Sequence, residues 1–167
     1  MILTGMQILQ EIKNKKIVIR PFLEENLNPN SYNYLLGDKY LIFNQNMNDS
    51  FIHCHYLTIP EDGLLMKPGN LYLMHTHEKI GSQNFMVSLI GRSSVGRMGI
   101  FVTLSTDMGN FGKAHKWTLE VYCIHPIIVY PKMKIGQVSF WKPLGKIRKY
   151  SGSYSNYDLP KANSNLL

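Results

Sequence analysis

The sequence predicts a mainly β, single-domain protein that begins with one short helix. Its 167 residues are enough for one well-buried core and too few for two ordinary domains. With 44% hydrophobic and 17% charged residues, the composition is that of a globular protein. Beyond the N-terminal residues, short runs of β-branched and aromatic residues are separated by Pro, Gly, Asn and Asp, which is typical of strands joined by turns.

The first element is a short helix. Thr4 and Gln7 form a capping-box pattern at its start, and it ends before Asn14. In between, three apolar residues fall on one face at helical spacing: Ile8, Leu9 and Ile12.

A series of short strands follows the helix. The predicted segments are residues 17–19, 40–43, 51–59, 71–74, 85–90, 99–104, 117–124, 127–130 and 137–141. Short strands at this spacing favour a sandwich or barrel over alternating β and α units.

The chain divides into a β domain at residues 1–149 and a C-terminal tail at residues 150–167. The tail is rich in Ser, Asn, Gly and Tyr, which predicts a mobile segment. Two interpretations follow. Most chain ends are simply frayed, whereas a tail with three tyrosines could instead close over a ligand.

Charge and composition restrict the partners. The net charge of +7 favours anionic partners without identifying them. No apolar run approaches the roughly 18 residues of a membrane span, and the N-terminus lacks a signal-peptide pattern, so we expect a cytoplasmic protein without membrane contact. No polynucleotide binding is expected, because the basic residues are scattered apart from one mild concentration at Lys142, Lys146, Arg148 and Lys149.

The most informative segment is Gly-Arg-Ser-Ser-Val-Gly-Arg-Met-Gly at residues 91–99. Glycines let the backbone approach a phosphate, serines donate hydrogen bonds, and Arg92 and Arg97 can each bind phosphate or carboxylate oxygens through two parallel bonds. The pattern predicts an anion-binding loop between two strands. Surface turns use the same residues, so composition alone also allows a simple turn.

Glu120 is the second candidate, because it lies in an otherwise apolar strand at residues 117–124. A carboxylate is costly to bury unless it is paired, protonated or functional. Alternation with Thr118 and Tyr122 would also allow a solvent-facing position. The strand pattern leaves both interpretations open.

A set of motifs spreads over nearly the whole chain. They are MIL-x5-I near the start, NPNSYNYLLG at 28–37, GRSSVGRMG at 91–99, TLE at 118–120, YPKMKIGQ at 130–137 and YSGSY at 150–154. In these motifs the chain resembles the dCTP deaminases, in which GRSS-x2-R-x-G precedes a strand with the catalytic glutamate at a fixed interval. The interval from Gly99 to Glu120 fits that pattern without a gap.

The resemblance implies a dUTPase-like distorted jelly roll or β-barrel, assembled as a homotrimer with active sites at subunit interfaces and the tail closing over the nucleotide. It implies catalytic roles for Glu120, Ser93 and Arg97. The implied substrate-binding residues are Arg92, Ser94, Asn110, Thr118, Leu119, Gln137, Tyr150 and Tyr154.

The implied reaction is hydrolytic deamination of a deoxycytidine nucleotide, either dCTP or a related or modified form, to the deoxyuridine nucleotide and ammonia. Glu120 would take a proton from the water that adds to C4 and return it to the departing nitrogen. Mg²⁺ is expected on the nucleotide phosphates. No zinc is expected, because the H-x-E and P-C-x-x-C motifs of zinc deaminases are absent and isolated His-x-His pairs, here His53/His55 and His75/His77, are usually ordinary strand positions.

Several positions depart from the family pattern. Asn110 stands where relatives have the aspartate of an Asp-Pro-Gly turn that holds the sugar 3′-hydroxyl. Ser153 replaces a lysine that relatives use on the nucleotide, which leaves the number of substrate phosphates open. The other departures are Asn33, Thr103, Thr106 and Tyr157.

Two alternatives to a deaminase remain at this stage. A dUTPase-like diphosphohydrolase, or an enzyme with both activities, would cleave phosphates bridged by Mg²⁺. A nucleotide-binding regulator would keep the fold without turnover, since fold does not fix function.

Overall fold

The computed structural model describes residues 1–43, 56–102, 105–152 and 158–161. Within these ranges the helices are α1 (Gly5–Lys13) and α2 (Ser93–Arg97), with a 3-10 turn at Glu24–Asn26. The strands are β1 (Ile17–Arg20), β2 (Tyr32–Leu35), β3 (Lys39–Phe43), β4 (Leu57–Thr58), β5 (Leu64–Met66), β6 (Leu71–His75), β7 (Lys79–Ser82), β8 (Met86–Gly91), β9 (Ile100–Val102), β10 (Met108–Gly109), β11 (Thr118–Cys123), β12 (Ile127–Val129) and β13 (Lys134–Trp141). The predicted mainly β class is confirmed.

The N-terminal helix begins where the cap predicts. The Thr4 hydroxyl accepts a hydrogen bond from the Gln7 backbone amide at 3.3 Å. The capping box is not completed, because no hydrogen bond runs from the Thr4 amide to the Gln7 side-chain oxygen among the described residues; the Gln7 side-chain nitrogen donates to Glu11 at 2.9 Å. Ile8 is fully buried and attaches the helix to the core.

Two antiparallel sheets form the body of the domain. One has the strand order β10-β8-β13-β2 and the other the order β4-β3-β6-β11-β9. Two-stranded ribbons, β1-β7 and β12-β5, complete the described part of the fold. Both sheets contribute to one apolar core, which includes Val138 and Phe140 from β13 and Leu119 and Val121 from β11.

Every predicted strand segment overlaps a strand, although residues 51–55 and 103–104 lie outside the described ranges. Four strands were missed. β2 is buried at every residue, so it has no alternating pattern, and β10 has only two residues. The strands β5 and β7 have three and four residues and border turns. A period is difficult to recognise in segments this short.

The prediction of a loop at residues 91–99 was wrong in its centre. Ser93–Arg97 form the short helix α2, with Arg92 at the N-cap position but without a side-chain capping hydrogen bond. The helical turn places Val95 in the core, where it is 2% exposed. Gly99, with φ of +79°, follows the helix in a conformation that glycine tolerates better than other residues.

The structure also describes one of the two cysteines and the length of the helices. Cys123 is a free, buried thiol whose pKa is raised by burial, while Cys54 lies outside the described residues. Neither described helix is long and apolar enough to cross a bilayer.

Candidate active site

The strand β11 places Glu120 on the outer face of the five-stranded sheet. Burial alternates along this strand, with a buried row on the core side and a half-buried row outside. The buried row is Leu119, Val121 and Cys123, and the half-buried row is Thr118, Glu120 and Tyr122. Glu120 lies opposite Leu73 of β6. It therefore keeps access to solvent while its neighbours on both sides along the strand anchor the backbone.

Ser105 is the partner of Glu120. The Ser105 hydroxyl lies 2.7 Å from both carboxylate oxygens of Glu120, and the Ser105 backbone amide donates to Oε2 at 3.0 Å. Ser105 was not predicted from the sequence. Its role depends on the antiparallel pairing of β9 with β11, in which Val102 lies opposite Val121, and this pairing is not visible in the local sequence.

Glu120 lines a small pocket of about 100 Å³. The wall is formed by β11 and by the chain segment that contains β10. The lining residues are Leu89, Thr106, Asp107, Met108, Gly109, Trp117, Thr118, Leu119 and Glu120. Two predicted substrate-binding residues, Thr118 and Leu119, are therefore next to the predicted catalytic carboxylate.

The indole of Trp117 forms one wall of the pocket. Its Nε1 donates to the carbonyl of Ile80 at 2.9 Å, and its ring lies 4.3 Å from the His115 ring. Gly109 makes room for it, since a Cβ at that position would lie 2.4 Å from Trp117 Cη2. Burial lowers the pKa of His115, so a neutral ring adjoins the indole.

A second carboxylate, Asp107, also lines the pocket. Its Oδ2 accepts a hydrogen bond from the Ser88 hydroxyl at 3.1 Å, and its backbone carbonyl accepts from the Leu89 amide. Asp107 was not predicted from the sequence, because an aspartate in a polar loop resembles any surface acid. Together the two acids make the pocket rich in hydrogen-bond acceptors.

Among the described residues, the GRSS motif makes no hydrogen bond or ion pair with Glu120. Ser93, Ser94 and Arg97 are exposed and Arg92 is half-buried. Among the described residues, Arg97 makes no ion pair with Glu120. The segment after α2 joins the far end of β11, where the Ile124 amide donates to Gly99. Four strand positions separate Ile124 from Glu120, or roughly 13 Å.

Gln137 belongs to a polar cluster away from the pocket. Its Oε1 accepts from the Ser31 hydroxyl at 2.8 Å, and Ser31 Oγ accepts in turn from the Asn28 side chain at 3.1 Å. Asn33 completes the cluster by donating to Asn28 at 3.1 Å. Gln137 lies opposite Ile90 of β8, so the cluster is close to the start of the GRSS motif.

The remaining predicted binding residues are outside the pocket or outside the described chain. Asn110 is exposed and does not line the pocket. Tyr150 is partly exposed, and its amide donates to the carbonyl of Phe111 at 2.9 Å. The predicted site residue Tyr154, and three departures from the family pattern, lie outside the described residues: Thr103, Ser153 and Tyr157.

Residues 158–161 return to the wall of the pocket. The Asp158 carboxylate accepts from Lys79 at 2.5 Å, and hydrogen bonding to Lys79 lowers the pKa of Asp158. The Lys161 amide donates to Thr118 Oγ1 at 3.1 Å. Pro160, which precedes Lys161 in the chain, is buried. This part of the tail packs against the same strand that contains Glu120.

The described residues contain no group of three or more His, Cys, Asp or Glu side chains arranged to hold a metal ion. His53 and His55 lie outside the described ranges. His75 is fully buried, with Nδ1 at 2.8 Å from the Thr76 carbonyl and Nε2 accepting from the Lys39 amide. Burial lowers the pKa values of His75 and His77.

Comparison with known proteins identifies the family. A family model described as dCTP deaminase-like matches residues 2–143. Proteins named "dCTP deaminase, dUMP-forming" from Hathewaya histolytica and Cytophaga hutchinsonii are each 42% identical over 159 residues, covering 93% of this chain and 92% and 91% of theirs. A dCTP deaminase from Rhodopirellula baltica is 39% identical over 147 residues, covering 87% of this chain and 74% of that protein.

The fold agrees with this family. The crystal structure of 2'-deoxycytidine 5'-triphosphate deaminase from Agrobacterium tumefaciens superposes with a TM-score of 0.66 at 20% sequence identity. The match covers 83% of this chain and 47% of that longer chain. At that identity the likeness shows the fold alone, which is the dUTPase-like fold that the sequence predicted. On the family model and the relatives together, the chain belongs to the dCTP deaminase-like family.

Proposed function

We propose that this protein is a deoxynucleotide hydrolase that deaminates dCTP and releases dUMP. The proposal depends on Glu120, which is half-buried at a small pocket and accepts a hydrogen bond from Ser105. It is also supported by relatives that are 42% identical to this chain and are named for that reaction. The reaction consumes two waters. One replaces the 4-amino group and releases ammonia, and the other cleaves between the α and β phosphates and releases diphosphate.

Glu120 is the proton-transfer group of the deamination. As a carboxylate it accepts a proton from the water that adds to C4 of cytosine, and it then returns the proton to the departing nitrogen. Its half-buried position supports this role, because the carboxylate borders the pocket while Leu119 and Val121 fix the strand beneath it. The surrounding pocket excludes bulk water from one side of the base.

The active site is shared between subunits of a homotrimer. In one chain the exposed Arg97 and Ser93 have no contact with Glu120, and the helix that contains them lies beside the opposite end of β11. A neighbouring subunit that presents its α2 to this pocket would bring the guanidinium to the carboxylate. Arg92 and Ser94 of the same motif would bind phosphate oxygens.

Mg²⁺ enters with the substrate phosphates. Asp107 and Glu120 each accept a hydrogen bond from a serine hydroxyl, and they belong to no group of three or more metal-binding side chains among the described residues. Phosphate oxygens are hard ligands of the kind that Mg²⁺ prefers. Bound in this way, the ion would neutralise charge during diphosphate release.

The test is an assay of the purified protein with dCTP, dUTP, dCMP and 5-substituted deoxycytidine triphosphates, each with and without Mg²⁺. We expect ammonia and dUMP from dCTP. Ammonia with dUTP as the end product would limit the enzyme to deamination, and diphosphate from dUTP without ammonia from any substrate would make it a diphosphohydrolase. Saturable binding without any product would identify a regulator and would refute the proposal.

A further inference from the structure

We infer that Ser105 is a positioning residue for Glu120, which deepens and rests on the proposed function. Two donors of one residue converge on one carboxylate. The hydroxyl lies 2.7 Å from both Glu120 oxygens, and the backbone amide lies 3.0 Å from Oε2. No other side chain of the described chain donates to Glu120.

The two donors determine how the carboxylate is oriented. The terminal torsion of a glutamate side chain is broad, so an unrestrained carboxylate rotates through many angles. A hydroxyl placed between both oxygens and an amide on one of them restrict that rotation. The residue that abstracts a proton from water is thereby held in one plane beside the pocket.

Ser105 can also bind a water beside the carboxylate. A serine that donates its proton keeps lone pairs that can accept from a water. Ser105 is exposed, so such a water would lie beside the serine and next to the carboxylate that deprotonates it.

Nothing in the described structure requires Ser105 for packing. The residue is exposed and belongs to no helix or strand. Its hydroxyl makes hydrogen bonds within the described residues only to Glu120. Its neighbour Thr106 lines the pocket but uses its hydroxyl to accept from the Met108 amide instead. The contact of Ser105 with Glu120 therefore has a role at the site and not in the core.

The first experiment compares Ser105→Ala, Ser105→Thr and the wild-type protein in the deamination assay. Ser105→Ala should lower kcat by about tenfold, the size typical of losing one hydrogen bond to a charged group. KM for dCTP should change little, because the lost contact is with Glu120 and not with the nucleotide. Ser105→Thr, which keeps the hydroxyl, should restore kcat.

Thr58→Val is the matched control, since it also removes an exposed hydroxyl but lies on β4 at the edge of the sheet. It should leave kcat and KM unchanged. An unchanged kcat in Ser105→Ala would overturn the inference, and so would failure of Ser105→Thr to restore activity lost in a folded Ser105→Ala.

A second measurement does not depend on turnover. The Ser105 amide proton donates to Glu120, so its NMR resonance should move as the carboxylate is protonated and should lose that movement in Glu120→Gln. A resonance insensitive to Glu120→Gln would refute the contact. If the wild-type protein deaminates nothing, the proposed function fails, while the amide titration still decides whether Ser105 binds Glu120.

Discussion

Glu78 is an acidic side chain that the candidate site does not use. It is fully buried, and its Oε2 accepts from the Leu35 amide at 3.0 Å, whereas Oε1 has no hydrogen-bond partner among the described residues. Burial raises the pKa of Glu78 to about 7. The folded protein therefore binds a proton at this carboxyl more tightly than the unfolded chain does, and the neutral acid is the form that the fold favours.

Glu78→Gln should remove a pH dependence of stability. The pKa of Glu78 is about 4.5 in the unfolded chain and about 7 in the folded protein. Protonation of Glu78 therefore stabilises the fold fully below pH 4.5, and this contribution is lost as the pH rises through about 7. At pH 8 the neutral amide should therefore raise the free energy of unfolding by up to about 3 kcal/mol relative to wild type. At pH 4 the two proteins should be nearly equal. Urea unfolding at both pH values measures this.

The control for that experiment is Glu61→Gln, at an exposed glutamate. It should not alter the difference between the two pH values. A Glu78→Gln protein that is less stable than wild type at pH 8 would show that the buried carboxylate has a charged partner and that its burial alone does not set its pKa.

Glu120→Gln should abolish most turnover while nucleotide binding survives. Glutamine keeps the size of the side chain and can still accept from Ser105, but it cannot take a proton from water. Loss of a general acid–base group costs at least about 10²-fold in rate. Steady-state kinetics and calorimetric titration with dCTP separate the two effects. Near-normal turnover in this variant would refute the mechanism.

At the residue scale the sequence identified Glu120 and missed its partner. A carboxylate within an apolar strand is visible in the local pattern, since burial of charge is costly. Ser105 and Asp107 gain their importance from contacts with Glu120 and Ser88, which lie 15 and 19 residues away. Such non-local contacts require the strand pairing, which residue types alone do not give.

At the scale of elements, apolar and β-branched runs decided which strands could be predicted. The long strands β8, β11 and β13 contain such runs, and all three were expected. Burial alternates along all of β11 and most of β13, whereas β8 has three buried residues in a row. β10, of two residues, could not be recognised, although it forms one wall of the pocket. The helix α2 was mistaken for a loop because its glycine and serines are also turn formers.

Gly109→Ala in β10 should deform the pocket. The added Cβ would lie 2.4 Å from Trp117 Cη2 and 3.0 Å from the Val87 carbonyl, so the indole must move. Overpacking of this kind typically costs about 1–3 kcal/mol of stability. We also expect weaker binding of dCTP, because Trp117 is part of the pocket wall. Thermal unfolding and calorimetric titration measure the two effects.

Gly112→Ala is the matched control for stability, since its Cβ would meet only the Tyr150 carbonyl at 4.0 Å. It should unfold within about 0.5 kcal/mol of wild type, as surface substitutions usually do. If Gly109→Ala bound dCTP as tightly as wild type, Trp117 would not border the bound nucleotide.

At the scale of the whole molecule, the separation of Glu120 from Arg97 is the main feature. The motifs that contain them are close in sequence, and β9 and β11 are neighbours in one sheet. Even so, within the described chain the guanidinium is exposed and makes no ion pair with the carboxylate. A sequence motif predicts which residues cooperate but not whether they come from the same chain, and this distinction determines the assembly.

Mixing two inactive variants tests the shared site. Glu120→Gln lacks the proton-transfer group and keeps Arg97, whereas Arg97→Lys keeps Glu120 but cannot reproduce the planar, two-bond contact of a guanidinium. The two variants are refolded together in equal amounts. If each site takes Glu120 from one subunit and Arg97 from its neighbour, about one site in four receives both intact residues, so the mixture should regain about one quarter of wild-type activity. Sedimentation equilibrium first verifies the trimer. Mass spectrometry first shows that the mixture contains mixed trimers. If its activity then stays at the level of the separate variants, Glu120 and Arg97 act from one subunit or belong to different sites.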